Sequence, residues 1–196
     1  MKTVGRPLEF SPKDAIDAAT EVFWCRGYCN ASMTELLTAM GLSKSSMYQS
    51  FGSKSGLFRC CLDRYATAQA ESMQTLFAQS GSGRAFIKAL FASIANTAGE
   101  PDGEKGCLVV NSINEFGQHD PEVAMTIGAA VHPINNVFFT AIQRAQHDGE
   151  IAADADSAAL ANYMHVAISG LRTMIKTGMD KQAAQTAAAL LLKALD

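Results

Sequence analysis

A short polar segment between residues 43 and 51 carries the side chains best suited to contact another molecule. Residues 44–49 offer an ammonium, two hydroxyls, a phenol and an amide, supplied by Lys44, Ser45, Ser46, Tyr48 and Gln49. These groups form hydrogen bonds with phosphate oxygens and base edges. Ser43 can cap a helix here and add one more hydroxyl, while Met47 and Phe51 are left to face a core. The pattern predicts either a helix that contacts a nucleic acid or an ordinary polar surface helix.

The residues before this segment predict the element that positions it. Ser32 followed by Glu35 is the signature of a capping box at a helix start. Apolar residues then recur at helical spacing, at Met33, Leu36, Leu37 and Met40. Gly41 ends the helix, because glycine tolerates the left-handed conformation common at helix ends. Residues 32–51 therefore predict a helix-turn-helix whose second helix fits the major groove of duplex DNA.

The flanking residues extend this prediction in both directions. A first helix is expected over residues 12–26, and a long helix over residues 54–79 begins after Ser53. Lys54 is unfavourable beside the positive end of that helix, which favours a contact with a DNA phosphate. Thr34 either donates to a phosphate or is a plain first-turn residue. Arg6, in a predicted arm over residues 1–10, either enters a minor groove or belongs to a disordered terminus.

Residues 18–58 resemble the DNA-binding domain of the tetracycline-repressor (TetR) family of transcription regulators. The resemblance rests most specifically on the phrase MYQSFGSKSGLF, which is close to that family's Y-x-x-F-x-x-K-x-x-L pattern. Earlier matching residues are Ala18, Ala19, Phe23, Gly27, Tyr28, Ser32, Met33, Leu36, Gly41, Leu42, Ser43 and Ser46. The resemblance implies a one-component regulator, most often a repressor. It binds a palindromic operator as a dimer and is released when an effector moves the long helix over residues 54–79.

Composition sets limits that agree with such a protein. The 196 residues are 48% hydrophobic, which suffices for a buried core, and the net charge is −3. The first third is slightly basic and the remainder acidic, which suits a protein that presents one end to phosphate. No apolar run long enough for a transmembrane helix or a signal peptide is present, so no membrane association is expected. Five irregularly spaced cysteines then predict reduced thiols and a cytoplasmic location.

The remaining chain has a helical pattern throughout and no convincing strand. Further helices are expected over residues 84–98, 105–117, 121–148, 157–178 and 180–195, which makes about nine in total. The predicted fold is all-α, with a helix-turn-helix domain over residues 1–64 and an effector-binding and dimerisation domain over residues 65–196.

The last two predicted helices are rich in alanine, glycine and leucine, which permits close helix approach. They predict either a four-helix interface of a homodimer or an internal seam of a monomer; a palindromic DNA site favours the dimer. The expected interface residues are Ala158, Ala161, Gly170, Ala184, Ala188, Leu191 and Leu195.

A small-molecule effector should bind among the helices of the second domain. Expected wall residues are Phe91, Phe138 and Met164, and the expected polar contacts come from Asn111, Asn114, His132 and His165. Each of these residues could equally belong to an ordinary core. Neither the pattern nor the residue types indicate the chemical class of the effector.

Cys107 is the other expected effector residue. The segment from Gly106 to Asn111 resembles the G-C-L-x-x-N sequence of one branch of the family, in which some members sense oxidants or electrophiles through this cysteine. A cysteine near a helix N-terminus has a stabilised thiolate. The alternative is that Cys107 simply packs as a small apolar residue.

Two other classes of function compete with the regulator. A thiol-based peroxide or redox enzyme would use Cys107, yet it has no nearby histidine or second catalytic cysteine in sequence. A helical adaptor without DNA binding would leave the polar residues 44–49 unexplained. The scattered histidines and unpaired cysteines predict no metal site, and the absence of a glycine-rich phosphate loop predicts no cofactor.

Overall fold

The structure is a computed structural model that describes residues 11–116 and 121–196, and these residues form α-helices without strands. The first three helices are α1 (Pro12–Arg26), α2 (Met33–Met40) and α3 (Lys44–Phe51). The others are α4 (Lys54–Gln79), α5 (Gly83–Ala95), α6 (Pro101–Lys105), α7 (Leu108–Phe116), α8 (Pro121–His147), α9 (Ser157–Lys176) and α10 (Lys181–Leu191). A single 3-10 turn, Leu192–Leu195, follows α10.

The predicted all-α class is confirmed, with one correction in the middle of the chain. Instead of one helix over residues 105–117, the described residues form the short α6 and then α7. Gly106 separates them with φ of 69°, in the left-handed region that glycine tolerates. The chain turns helical again after Cys107, whose carbonyl oxygen accepts from the amide of Asn111 at 2.8 Å. With this extra helix the described ranges hold ten α-helices, close to the predicted total of about nine.

The helix-turn-helix forms through the caps that its sequence predicts. The Ser32 hydroxyl accepts from the Glu35 amide at 3.2 Å, and the Glu35 carboxylate accepts from the Ser32 amide at 3.0 Å. The hydrogen bonds from Ser32 lower the pKa of Glu35. Gly41 adopts φ of 64° and ends α2, and the Ser43 hydroxyl accepts from the Ser46 amide at 3.1 Å to begin α3. Both helices are therefore fixed by local hydrogen bonds.

A first hydrophobic core holds α1, α2 and α3 against the beginning of α4. Phe23 and Phe58 are fully buried, with ring centroids 4.9 Å apart in an edge-to-face arrangement. Such a pair adds about 0.5–1.5 kcal/mol beyond the burial of its area. Leu108 and Val109 of α7 and Ile127 of α8 belong to the same core. The first three helices are thus packed directly on the second half of the chain.

A second core joins α5, α8, α9 and α10 around Phe86, Phe91 and Phe138, which are all fully buried. Met73, near the C-terminal end of α4, contributes to this core, whereas Leu57 and Leu62 of the same helix belong to the first. Helix α4 therefore spans both cores. The predicted boundary at residue 64 falls within this continuous helix.

Candidate DNA-binding face and regulatory cleft

Helix α3 presents its polar residues outward. Lys44, Ser45, Tyr48 and Gln49 are exposed, and the ring of Tyr48 retains 42% of its accessible surface. Met47 is fully buried against the first core and anchors the opposite side of the helix. The face available to another molecule is therefore the polar one.

Three hydroxyls meet at the N-terminus of α3. The Ser43 oxygen lies 3.0 Å from that of Ser45 and 2.9 Å from that of Ser46, while it also caps the helix. This end of a helix presents unpaired backbone amides and a partial positive charge, which together favour a phosphate. The structure thus brings these three predicted residues together, with Ser46 half-buried by its neighbours.

Two other predicted DNA contacts come from outside α3, and a third lies beyond the described residues. Thr34 is exposed in the first turn of α2. Lys54 is half-buried, and its ammonium donates to the carbonyl oxygen of Tyr28 while lying 4.5 Å from the centroid of the Tyr28 ring. Arg6 and the arm over residues 1–10 lie outside the described residues.

The link between α6 and α7 contacts α1 at Lys105 and at Gly106. The Lys105 ammonium lies 2.6 Å from the Glu21 carboxylate, which raises the pKa of Lys105. The indole nitrogen of Trp24 donates to the Gly106 carbonyl oxygen at 3.2 Å. Cys107 follows directly and is half-buried against the first core. The segment that carries Cys107 is therefore attached to α1.

The hydroxyl of Tyr65 adjoins the Cys107 thiol. Burial raises the pKa of Tyr65, and the neighbouring Cys107 adds to that rise. Among the described residues this buried hydroxyl oxygen makes no hydrogen bond of ordinary geometry. The Tyr65 ring packs edge-to-face on Trp24, with centroids 5.1 Å apart. An unsatisfied buried hydroxyl costs stability, and it can donate to a new polar group placed beside it.

Glu115, near the C-terminal end of α7, makes a second attachment to the first part of the chain, at the turn between α1 and α2. Its carboxylate accepts from the backbone amides of Tyr28 at 2.8 Å and Cys29 at 2.6 Å. The same carboxylate raises the pKa of the Cys29 thiol, chiefly by hydrogen bonding with it. No local sequence signal predicts this contact, because its partners are more than 80 residues apart.

A cleft of about 440 Å³ opens where these elements meet. Its lining combines the polar side chains of Gln69, Asp102 and Arg172 with the indole of Trp24 and with apolar groups from α4 and α5. The guanidinium of Arg172 donates to the Gln69 side-chain oxygen at 3.5 Å. Gly106 also lines the cleft, so Cys107 adjoins it. Polar and apolar groups contribute about equally to this concavity, which suits a small ligand that carries polar groups of its own.

The effector residues predicted from sequence do not line this cleft. Phe91, Phe138 and Met164 are fully buried in the second core, where they pack on protein. His132 and Asn114 are exposed, and Asn111 donates to the Lys105 carbonyl oxygen at 2.9 Å. His165 is half-buried near Phe138, and burial lowers its pKa. Of the predicted effector residues only Cys107 adjoins this cleft, and a role of the others in effector binding stays a prediction.

The other cysteines lie in surroundings that differ from that of Cys107. Burial raises the pKa of Cys61 to about 12. Burial and the Glu21 carboxylate raise the pKa of Cys25, as Glu115 does for Cys29. Cys60 is exposed. In residues 11–116 and 121–196, no three histidine, cysteine or acidic side chains converge as metal ligands would.

The predicted dimer surface requires a correction of its face. Ala161, Ala184, Ala188 and Leu195 are buried within one protomer and cannot form an accessible surface. Ala158 and Gly170 are exposed, and Leu191 is half-buried. The exposed apolar residues of α9 and α10 are instead Tyr163, Val166, Met174 and Leu190. The same two helices offer an apolar surface, turned away from most of the predicted residues.

Within the described residues, no helix combines the length and hydropathy needed to cross a membrane.

Comparisons with known proteins agree with this arrangement in both halves of the chain. Residues 15–61 match the family model of bacterial regulatory proteins of the tetR family. Residues 83–191, more than half of the chain, match the model of the tetracyclin repressor-like C-terminal domain.

Among curated relatives, the HTH-type transcriptional regulator YezE of Bacillus subtilis is 28% identical over 98% of this chain and 100% of its own length. The HTH-type transcriptional repressor ComR of Escherichia coli is 29% identical over 90% of this chain and 85% of its own. A solved structure of a cysteine mutant of the regulator CifR, complexed with 26bp double-strand operator DNA, is 28% identical with a TM-score of 0.83. It covers 97% of this chain and 100% of that one.

Proposed function

The chain belongs to the tetracycline-repressor family of bacterial transcriptional regulators, and from that premise we propose which of its residues bind the operator and which receive the effector. It is a DNA-binding transcriptional regulator and not an enzyme, so the redox-enzyme and adaptor alternatives fall away. Relatives named as repressors and a neighbour bound to operator DNA support repression by operator binding. We place this function in the cytoplasm.

Residues 1–64 form the operator-binding domain, which we call the head. The observation that carries this proposal is α3, whose buried Met47 turns Lys44, Tyr48 and Gln49 outward. That face enters the major groove, where Tyr48 and Gln49 contact base edges. Lys44, Thr34 and the hydroxyls at the start of α3 contact phosphates, as do Lys54 and Arg6. Two copies of the head bind the two halves of a palindrome.

Residues 65–196 pair the protomers and receive the effector. The pairing surface is formed by α9 and α10 through the exposed face that includes Val166, Gly170, Met174 and Leu190. The effector binds in the cleft beside Arg172 and Asp102. Because Trp24 belongs to α1, a ligand in this cleft touches the head directly and favours one orientation of it.

Cys107 extends the proposal to an electrophile or oxidant as effector, as in the branch of the family with the G-C-L-x-x-N segment. Support comes from its half-buried position beside the cleft and from the unsatisfied hydroxyl of Tyr65, which can donate to a polar group that an electrophile or oxidant adds at the sulfur. Modification of Cys107 would enlarge the side chain next to Gly106 and Trp24. It would therefore disturb the attachment of α1.

The test is fluorescence-anisotropy binding to labelled DNA from upstream of the protein's own gene, with scrambled DNA as reference and at two salt concentrations. Each titration is repeated after treatment with diamide, a thiol oxidant. We expect preferential binding to the upstream DNA and a linear fall of log affinity with log salt. We also expect treatment to release the protein from DNA, and Cys107→Ser to retain binding after treatment.

Cys60→Ser is the matched control, since Cys60 is exposed on α4 and its loss should leave the diamide response intact. Release that persists in Cys107→Ser would contradict the thiol switch and leave the reversible cleft ligand. Another outcome is that the protein shows no preference for the upstream DNA over scrambled DNA. If selection from a random DNA pool then also yields no preferred sequence, operator binding by α3 is refuted.

A further inference from the structure

The side chain of Glu115 binds the turn between α1 and α2, although Glu115 is more than 80 residues away along the chain. Its two carboxylate oxygens accept separately from two consecutive amides, Tyr28 at 2.8 Å and Cys29 at 2.6 Å. Hydrogen bonds to an ionised carboxylate are stronger than those between neutral groups. Consecutive amides in a turn form a small anion-binding concavity, and here a side chain of α7 fills it.

The backbone at Gly27 is shaped for this contact. Gly27 ends α1 with φ of 77°, a conformation that residues with a side chain rarely adopt. A Cβ atom added there would lie 2.9 Å from a carboxylate oxygen of Glu115. Any other residue would therefore both strain the turn and displace the carboxylate. The turn and the acid are matched in shape as well as in charge.

The other end of α7 is attached to the same helix of the head. At its start, Gly106 accepts from the Trp24 indole, and Lys105 pairs with Glu21. Trp24 and Glu21 belong to α1, and Tyr28 follows its end. Helix α7 thus spans from the Cys107 segment to the α1–α2 turn and holds the head at both ends. A nine-residue helix moves as one body, so a shift at its start reaches its end.

We propose that Glu115 is a positioning residue that sets the orientation of the head through α1, and that α7 transmits changes at Cys107 or in the cleft to this contact. The inference rests on the proposed operator binding. It adds a route through α1 to the motion of α4 that the family resemblance implies. In this proposal Glu115 contacts no DNA. It sets how closely the distance between the two heads agrees with the distance between the two half-sites.

We call the contact of Glu115 with the amides of Tyr28 and Cys29 the clamp. The first test asks whether the clamp orders the turn, and it uses the full-length protein without DNA. Hydrogen–deuterium exchange at the amides of Tyr28 and Cys29 is compared in the wild type, Glu115→Gln and Glu115→Ala. We expect exchange at least about tenfold faster in both variants. The alanine variant removes the acceptor of each amide, and the glutamine variant removes the negative charge of that acceptor. Glu100→Gln is the matched control, since it also removes one negative charge. Glu100 is exposed, and its side chain makes no hydrogen bond that caps α6.

The second test asks whether the clamp sets the spacing of the heads. Operator affinity is measured on the preferred sequence and on versions with one base pair inserted or removed between half-sites. The wild type and Glu100→Gln should lose affinity on the altered spacings. In Glu115→Gln and Glu115→Ala the ratio of affinities for the preferred and the altered spacing should be at least about fivefold smaller. Melting curves of all four proteins confirm that each is folded at the assay temperature.

Unchanged amide exchange in both variants would overturn the proposal, as would full spacing discrimination in Glu115→Ala. A wild type without any operator preference would refute the proposed function instead. In that case the exchange at Tyr28 and Cys29 still decides whether α7 holds the head.

Discussion

The ammonium of Lys54 donates a hydrogen bond to the backbone carbonyl oxygen of Tyr28 and lies 4.5 Å from the centroid of its ring. Lys54 begins α4, and Tyr28 lies in the turn after α1, so the contact joins two elements of the head. An ammonium has three donors, and one bond to Tyr28 leaves others for a phosphate. Lys54 is therefore suited to two roles, one in stability and one in DNA binding.

The first prediction separates these roles with two lysine variants. Lys54→Ala should lower the free energy of unfolding by about 1–3 kcal/mol, because it removes a charged hydrogen bond and a cation–π contact. It should also flatten the slope of log affinity against log salt by about one unit on any DNA sequence. Lys44→Ala, which removes an exposed lysine, should flatten the slope without affecting unfolding. An unaltered slope in Lys54→Ala would show that Lys54 does not contact a phosphate.

The second prediction concerns Tyr48, whose ring is 42% exposed on α3. Tyr48→Ala should weaken binding to the preferred operator by about 1–3 kcal/mol, because it removes a contact to base edges. Binding to scrambled DNA and the free energy of unfolding should change little, since the side chain adds little to the core. Anisotropy titrations and urea unfolding measure these quantities. Equal losses on both DNAs would show that Tyr48 contacts the backbone and not the bases.

Local signals predicted the DNA-binding helices well. The caps at Ser32, Ser43 and Ser53 each depend on a residue three positions away, and the structure confirms all three. The turn at Gly41 is confirmed for the same reason, because a positive φ is a property of one residue. Where the physics is local, one sequence suffices to predict the element.

The dimer face was predicted less well because it depends on how α10 is rotated. Ala183, Ala184, Ala187 and Ala188 are chemically identical, so the sequence does not show which pair is buried. In the structure Ala184 and Ala188 are buried, and their neighbours are more open. Only packing on α5 and α9 decides between these faces. The clamp at Glu115 escaped prediction for a related reason, since both of its partners are distant in sequence.

The third prediction tests the corrected dimer face. Val166 retains 71% of its accessible surface on α9 and should lie at the interface between protomers. Val166→Glu should yield monomers at micromolar concentration, because it would place a charge in an apolar contact. Sedimentation velocity gives the mass, and operator binding should weaken in parallel.

Met125→Glu is the matched control for the dimer face. Met125 retains 72% of its surface on α8, outside the proposed interface. This variant should remain dimeric. A dimer that survives in Val166→Glu would place the interface elsewhere.

The fourth prediction concerns pH. Burial lowers the pKa of His165 below its ordinary value of about 6.5. As the pH falls below that value, the unfolded chain binds a proton at this residue before the folded protein does. The free energy of unfolding therefore decreases between about pH 7 and the folded-state pKa, and it is unaffected by this group above pH 7.

Urea unfolding between pH 7.5 and 5.5 measures this contribution. His165→Gln should show a shallower decrease than the wild type. His132→Gln removes an exposed imidazole and serves as the control. Identical profiles for the wild type and His165→Gln would contradict the assignment.

Trp24 is the only tryptophan in the chain, and it lies where α1 meets the Cys107 segment. Its indole donates to Gly106, packs on Tyr65 and lines the cleft, and the ammonium of Lys105 lies 5.2 Å from its ring centroid. Indole emission responds in wavelength and intensity to hydrogen bonding, nearby charge and solvent. The tryptophan emission of the unlabelled protein therefore originates from a single site at the junction of the two halves. A spectral shift on adding a compound would identify a binder of that junction before any DNA is present.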